Sequence, residues 1–200
     1  MTATLLSKIA MELSIIIVNW NSSDYLRECL RTVREHTTGV SYEVVVIDSA
    51  SFDGCGEMLA SEFPWVRFVQ SKENLGFSRS NNRAFEESMG DCLLFLNPDT
   101  LLHEDAIGEL YRFWSGQPGV GVVGAKLRNA DGSIQMSCIQ AFPTILNQVM
   151  DADLFRALCP GSSLWGVAPV LRSSQEAAEV EVVSGACLMI GRELFEQVGG

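Results

Sequence analysis

The chain has 200 residues, 47% of them apolar and 20% charged, and its 14 Lys and Arg against 25 Asp and Glu leave a net charge of −11. That length and apolar content bury a sizeable core, as one ordinary domain or one and a small fragment of another, which excludes global disorder. The acidity argues against a nucleic-acid binder, whose affinity comes from counterions released around clustered Lys and Arg. An anionic ligand must therefore be held by local devices: helix N-termini, a few placed arginines, or a metal ion.

Met1–Ala10 carries Lys8 but lacks an apolar stretch of about 7–15 residues, so residues 1–11 are expected to be an extension rather than a secretory leader. Leu13–Asn19 is a continuous Ile/Val-rich run, the pattern of a strand buried on both faces. Asn21, Ser22 and Ser23 then offer helix caps, and Tyr25, Leu26, Cys29, Leu30 and Val33 follow at helical spacing up to about Thr37. The alternation continues with a strand at Tyr42–Asp48, a helix at Asp53–Glu62, a strand at Val66–Gln70 and a helix at Phe77–Met89. A strand at Asp91–Asn97, a helix at Glu104–Ser115 and a strand-like Val120–Leu127 complete it. Strands separated by such helices imply βαβ units and a mostly parallel, Rossmann-like α/β sheet flanked by helices, whose ligands bind beyond the carboxyl ends of the strands.

Past Leu127 the pattern changes. Asn129–Ser133 is a turn signal between two short extended pieces, Phe142–Leu158 is expected to be helical, and Cys159–Glu179 a long loop. Val180–Ile190 is strand-like and Arg192–Val198 begins a helix. The expected organisation is a ligand-binding half at 12–128 and a smaller mixed region at 129–200. No run approaches the roughly 18 apolar residues of a membrane span, and six cysteines without a C-x-x-C pair fit reduced, buried thiols in a cytoplasmic protein.

Polar residues gather where apolar strands end: Asn19 and Asn21, Asp48 and Ser49, Asn97 and Asp99. Asn97 and Asp99 offer the hard oxygen ligands that suit Mg²⁺ or Mn²⁺ beside a phosphate, or else Asp99 is a turn residue capping the next helix. Asp48 either accepts hydrogen bonds from a base or ribose or serves the local turn, for which Ser51 and Asp53 are also suited. Gly76 allows close backbone approach at a helix start, and Arg79 can reach a diphosphate. Two other patterns carry less. Gly119–Gly124 fits G-x-G-x-x-G but lacks a preceding strand and a following helix, and His103-Glu104-Asp105 is better suited to a helix's first turn than to a metal. No G-x-S-x-G elbow is present to support a hydrolase.

Taken in order, V-N-W-N, V-V-V-I-D-S-A-S-F-D-G, N-L-G-F-S-R-S-N-N and L-F-L-N-P-D-T resemble the inverting family 2 glycosyltransferases, in particular the rhamnosyltransferase-like branch of cell-surface polysaccharide assembly. The blocks G-A-K-L…D-G-S and V-S-G-A-C-L resemble later parts of that branch, so the similarity runs from about Leu13 to Gly200. The resemblance implies a nucleotide-diphosphosugar (GT-A) fold and a dTDP- or UDP-sugar donor. Val18, Asn19, Trp20, Asn21, Asp48, Ser49, Asn74, Gly76, Phe77, Arg79, Asn82 and Asn97 would hold the donor, and Asp99 would match the last residue of the family's D-x-D metal motif for Mg²⁺ or Mn²⁺. Asn97 stands at that motif's first position, and Asn81-Asn82 where many members have Arg-Asn. A saccharide or lipid-linked saccharide would be the acceptor, with peripheral contact at the inner face of the membrane. The family's acidic block carrying the catalytic base follows the glycine pair, so the base is expected beyond Gly200 and the chain is expected to be the donor-binding portion of a longer enzyme. The competing expectations are a non-catalytic nucleotide-sugar-binding domain and a nucleotidyltransferase. The latter normally needs a Gly-rich basic loop after the first strand, where this chain has N-W-N-S-S-D-Y.

Overall fold

A computed structural model describes residues 11–135, 138–140, 142 and 177–200. The first element is β1 (Leu13–Asn19), buried along nearly its whole length. Helix α1 (Ser23–His36) follows and buries Leu26, Cys29, Leu30, Thr32 and Val33, the one-face spacing that packs an amphipathic helix on a sheet. Next come β2 (Tyr42–Asp48), α2 (Cys55–Glu62), β3 (Arg67–Gln70), α3 (Gly76–Glu86), β4 (Cys92–Leu96) and α4 (Ala106–Gly116). After β5 (Val122–Gly124) the chain holds β6 (Ile139–Gln140), β7 (Val182–Val183), β8 (Cys187–Gly191) and α5 (Arg192–Val198).

The main sheet has six strands in the order β3-β2-β1-β4-β8-β5. Strand β1 pairs in parallel with both β2 and β4, and β2 in parallel with β3. The mostly parallel, helix-flanked sheet expected from the sequence is present. Its centre is apolar on both faces: Ile15, Ile16, Ile17, Val44, Val45, Val46, Leu93 and Leu94 are all fully buried. Strands β6 and β7 form a separate antiparallel pair.

The chain divides into two compact units. One runs to Val122 and regains Met189–Gly200; the other is Val123–Leu188. In the first, Arg192 on α5 donates to Gly90 O at 2.6 Å and Ser88 Oγ at 2.9 Å, with its guanidinium over the Phe85 ring. In the second, Arg128 and Ile134 form an antiparallel bridge around the turn expected at Asn129–Ser133.

Several boundaries differ from the sequence reading, each for a local reason. Helix α2 starts at Cys55 rather than Asp53, because the Asp53 carboxylate accepts the backbone N–H of Cys55 and of Ser23 instead of entering the helix. Helix α4 starts at Ala106, with Asp105 as its N-cap accepting from Gly108 N. Helix α3 stops at Glu86, where the following N–H groups turn back to Ala84 and Phe85. The stretch Val180–Ile190 is two strands, divided by a turn at Gly185 and Ala186. The helix expected at Phe142–Leu158, apart from Phe142, and most of the loop expected at Cys159–Glu179 lie outside the described residues.

Candidate functional site

The site lies at the carboxyl ends of β1, β2 and β4, and parallel pairing puts it there. Register sets Asn19 opposite Asp48 and Ile17 opposite Leu96, so the polar residues that end the three strands emerge together. Asn19 and Asp48 are fully buried. Asn19 Nδ2 donates to Asp48 Oδ1 at 2.9 Å and to Ser51 Oγ and Asp53 at 3.2 Å, joining the β1–α1 and β2–α2 loops through one amide. Asp48 also accepts from the Ser51 hydroxyl, from the N–H of Ser51 at 3.1 Å and of Phe52 at 3.2 Å, and from Gln70 Nε2 at 2.7 Å.

Burial pushes the Asp48 carboxyl up, but the hydrogen bonds from Ser51, Gln70, Asn19 and Phe52 outweigh it and hold the group below the ordinary carboxylate range. Asp53 behaves likewise: burial raises it, while Asn19 and the N–H groups of Cys55 and Ser23 pull it lower. Cys55 goes the other way. Burial, followed by the charges of Asp48 and Asp53, raises its thiol well above the ordinary value and keeps it protonated.

Ser49 is buried as well. Its hydroxyl accepts from Leu75 N at 3.0 Å and Ser80 Oγ at 3.1 Å and reaches Asn74 Oδ1 at 3.2 Å. Asn74 Oδ1 in turn accepts Gly76 N at 2.8 Å, and Gly76 opens α3 at φ +71°. The helix cap expected from Ser22 is not made; its hydroxyl bonds Asn19 Oδ1 at 3.1 Å instead.

Beside this network is an open cleft of about 570 Å³, lined by Val18, Ser22, Tyr25, Phe77, Asn97, Pro98 and Asp99. Among the residues expected to bind the donor or metal, the cleft gathers Val18, Phe77, Asn97 and Asp99. Trp20 and Asn21 stand exposed at the end of β1, Asn21 at φ +52°. Arg79 is exposed on the first turn of α3, its Nε on Leu75 O, and Asn82 lies against Gly200; neither lines the cleft. The lining residues the sequence reading missed are Ser22, Tyr25 and Pro98. Tyr25 carried a signal, since the first turn of the helix after β1 must flank any ligand at that strand's end.

Two groups of acids are candidates for a divalent cation. Asp48, Asp53 and Cys55 place ligand atoms within 4.8 Å of one another, but both carboxylates are already filled by protein donors and the thiol is protonated. Asp99 differs. Among the described residues its carboxylate makes no hydrogen bond or ion pair, it faces the cleft beside Asn97, and it does not cap α4, a place taken by Asp105. An uncommitted carboxylate next to an amide oxygen fits Mg²⁺ or Mn²⁺, which bind through one or two protein ligands plus phosphate oxygens.

The family model for glycosyl transferase family 2 matches residues 14–199. The chain belongs to glycosyl transferase family 2. This family 2 chain is 27% identical over 205 residues to the N-acetylglucosaminyl-diphospho-decaprenol L-rhamnosyltransferase of Mycobacterium tuberculosis, covering 94% of the chain and 64% of that protein. It is 26% identical over 193 residues to the low-salt glycan biosynthesis hexosyltransferase Agl10 of Haloferax volcanii, covering 94% of the chain and 55% of that protein. The chain thus spans less than two thirds of the length of these curated relatives. A solved mannosyltransferase from Pyrobaculum calidifontis, in complex with GDP-Man and Mn²⁺, has the same fold with a TM-score of 0.62 at 19% identity, over 94% of this chain and 47% of that one. Residues 1–349 of TarS from S. aureus, in complex with UDP-GlcNAc, give a TM-score of 0.55 at 20% identity, over 71% of this chain and 43% of that one. No helix among the described residues is long and apolar enough to cross a membrane.

Proposed function

We propose that this family 2 chain is the donor-binding portion of a glycosyltransferase that moves a sugar from a nucleoside-diphosphate donor, dTDP- or UDP-linked, to a saccharide or lipid-linked saccharide, with inversion. The observation that carries the proposal is the uncommitted Asp99 carboxylate in the cleft at the end of β4, within the residues that match the family 2 model. Val18 and Phe77 give the cleft apolar walls, while Asn97 and Asp99 give it an oxygen-rich edge.

The cleft contains no Lys, Arg or His among its lining residues, so the protein alone supplies little to balance a diphosphate. A divalent cation held by Asp99, with Asn97 beside it, would neutralise charge on the departing nucleoside diphosphate. Arg79, exposed on α3 outside the cleft lining and without an ion pair among the described residues, is the arginine we assign a second positive charge toward the diphosphate. In-line attack by an acceptor hydroxyl on the anomeric carbon inverts the configuration; the hydroxyl's proton passes to a base that we assign to a segment outside the described residues. Acceptors carried on lipid would bring the protein to a membrane surface.

The test is sugar transfer by the intact natural protein, with UDP-, dTDP- and GDP-sugars as donors and Asp99→Ala as the variant. The variant should lose about 100-fold or more in rate, the scale of removing one electrostatic contact to a developing charge, and lose less in nucleotide affinity. Transfer by Asp99→Ala at the parental rate would sink the assignment.

A further inference from the structure

Phe52 sits in the loop between β2 and α2 at φ +53°, with the residue 68% exposed. A left-handed conformation costs an ordinary L-residue about 1–2 kcal/mol, and a phenylalanine left in water gains little burial to offset it. The loop nevertheless enforces it from both sides. On one side the Phe52 N–H is held by Asp48, whose carboxylate is fixed in turn by Ser51, Gln70 and Asn19. On the other, Asp53 is tied to Asn19 and to the N–H groups of Ser23 and Cys55. Left-handed residues alternate along the loop, with Ala50 at φ +60° and Gly54 at φ +86°. Strain persists where the surroundings over-determine it, and here two anchored carboxylates spend their hydrogen bonds holding a ring out in solvent.

We infer that Phe52 is a specificity-determining contact to the nucleoside of the donor, its ring offered as a stacking face, and that Asn19 and Asp48 are positioning residues that hold the loop. The inference rests on the donor-site reading above. Asp48 is fully buried and accepts from five protein donors, so it meets the ligand through the loop it fixes. The loop leaves β2 beside the end of β1, where Trp20 is also exposed. Of the parts of a nucleoside diphosphate, the planar base is the one that gains from an aromatic face; the diphosphate gains nothing.

The test is calorimetric titration of the full-length protein with UDP, dTDP, GDP and inorganic pyrophosphate, each with Mn²⁺, alongside thermal unfolding. Phe52→Gly relieves the left-handed strain, so its Tm should rise while its affinity for the nucleoside diphosphate that the parent binds falls about tenfold. Pyrophosphate, which has no base, should bind parent and variant equally, and Phe52→Trp, which keeps a ring, should retain parental nucleotide affinity. A purely structural role would move Tm and leave affinity alone. Equal nucleotide affinity in parent and Phe52→Gly, or an equal loss for pyrophosphate, overturns the inference while the donor-site reading stands. A parent that binds none of the three nucleotides overturns both.

Discussion

At the residue scale the site separates into saturated and uncommitted groups, and the separation decides what each can do. Asn19, Asp48 and Ser49 are buried with their hydrogen-bonding capacity spent inside the protein, whereas the Asp99 carboxylate makes no hydrogen bond or ion pair among the described residues. Asp48→Asn replaces an acceptor with a donor in front of at least one of Ser51, Phe52 and Gln70, and leaving such groups unmatched costs on the order of 2–3 kcal/mol at pH 7. The penalty depends on pH. Because the folded Asp48 carboxyl is held below its ordinary value, its stabilising contribution is fully present above about pH 4 and is lost as pH falls through the lower folded value. Urea unfolding of parent and Asp48→Asn between pH 7 and pH 2 should therefore show the gap closing at the acid end. A gap that stays constant with pH would refute the ionised, hydrogen-bonded Asp48. Asn19 could be read from sequence as a polar residue at a strand end, but not as a buried one. Its burial follows from the pairing register with Asp48, a long-range fact that no local pattern carries.

At the element scale the strands and the order of helices were legible because each central strand is a short apolar run of the length a doubly covered parallel sheet requires. Helix starts were less legible, since Asp53 and Asp105 are equally good as first-turn residues and as caps, and tertiary donors decide between the two. The left-handed Phe52 was invisible, because nothing in a phenylalanine side chain encodes a positive φ; two carboxylates elsewhere impose it. One close approach fixes the junction of α3 and β4 against β1. A Cβ at Gly90 would lie 2.5 Å from Ser14 N and 2.6 Å from Leu13 C, while Gly90 N also donates to the buried Ser14 hydroxyl at 2.7 Å. Gly90→Ala must push backbone apart and should cost about 2–3 kcal/mol. Gly76→Ala meets nothing within 4 Å and carries only the strain of φ +71°, about 1 kcal/mol. Denaturant midpoints of the two variants check this, and equal losses would contradict the packing of β1 against that turn.

At the scale of the whole molecule, a net charge of −11 sets the terms for an anionic ligand. Much of the positive charge on α1 is already spent on neighbouring acids: Arg27 pairs with Asp24 and Glu62, and Arg31 with Glu28 and Glu35. An acidic molecule offers a diphosphate little general attraction, so the proposed donor site relies on local groups, Asp99 with a metal and the apolar walls foremost. The most direct measurement is calorimetric titration of the full-length protein with UDP, dTDP and GDP, with and without Mn²⁺, repeated for Asp99→Ala. At least one nucleotide should bind the parent with Mn²⁺, chelating the metal should weaken it at least tenfold, and Asp99→Ala in Mn²⁺ should resemble the parent without metal. At 100 times its dissociation constant the ligand should also stabilise the parent by about 2.7 kcal/mol. Nucleotide binding that is indifferent to both Mn²⁺ and Asp99, or no binding to any of the three, would contradict it.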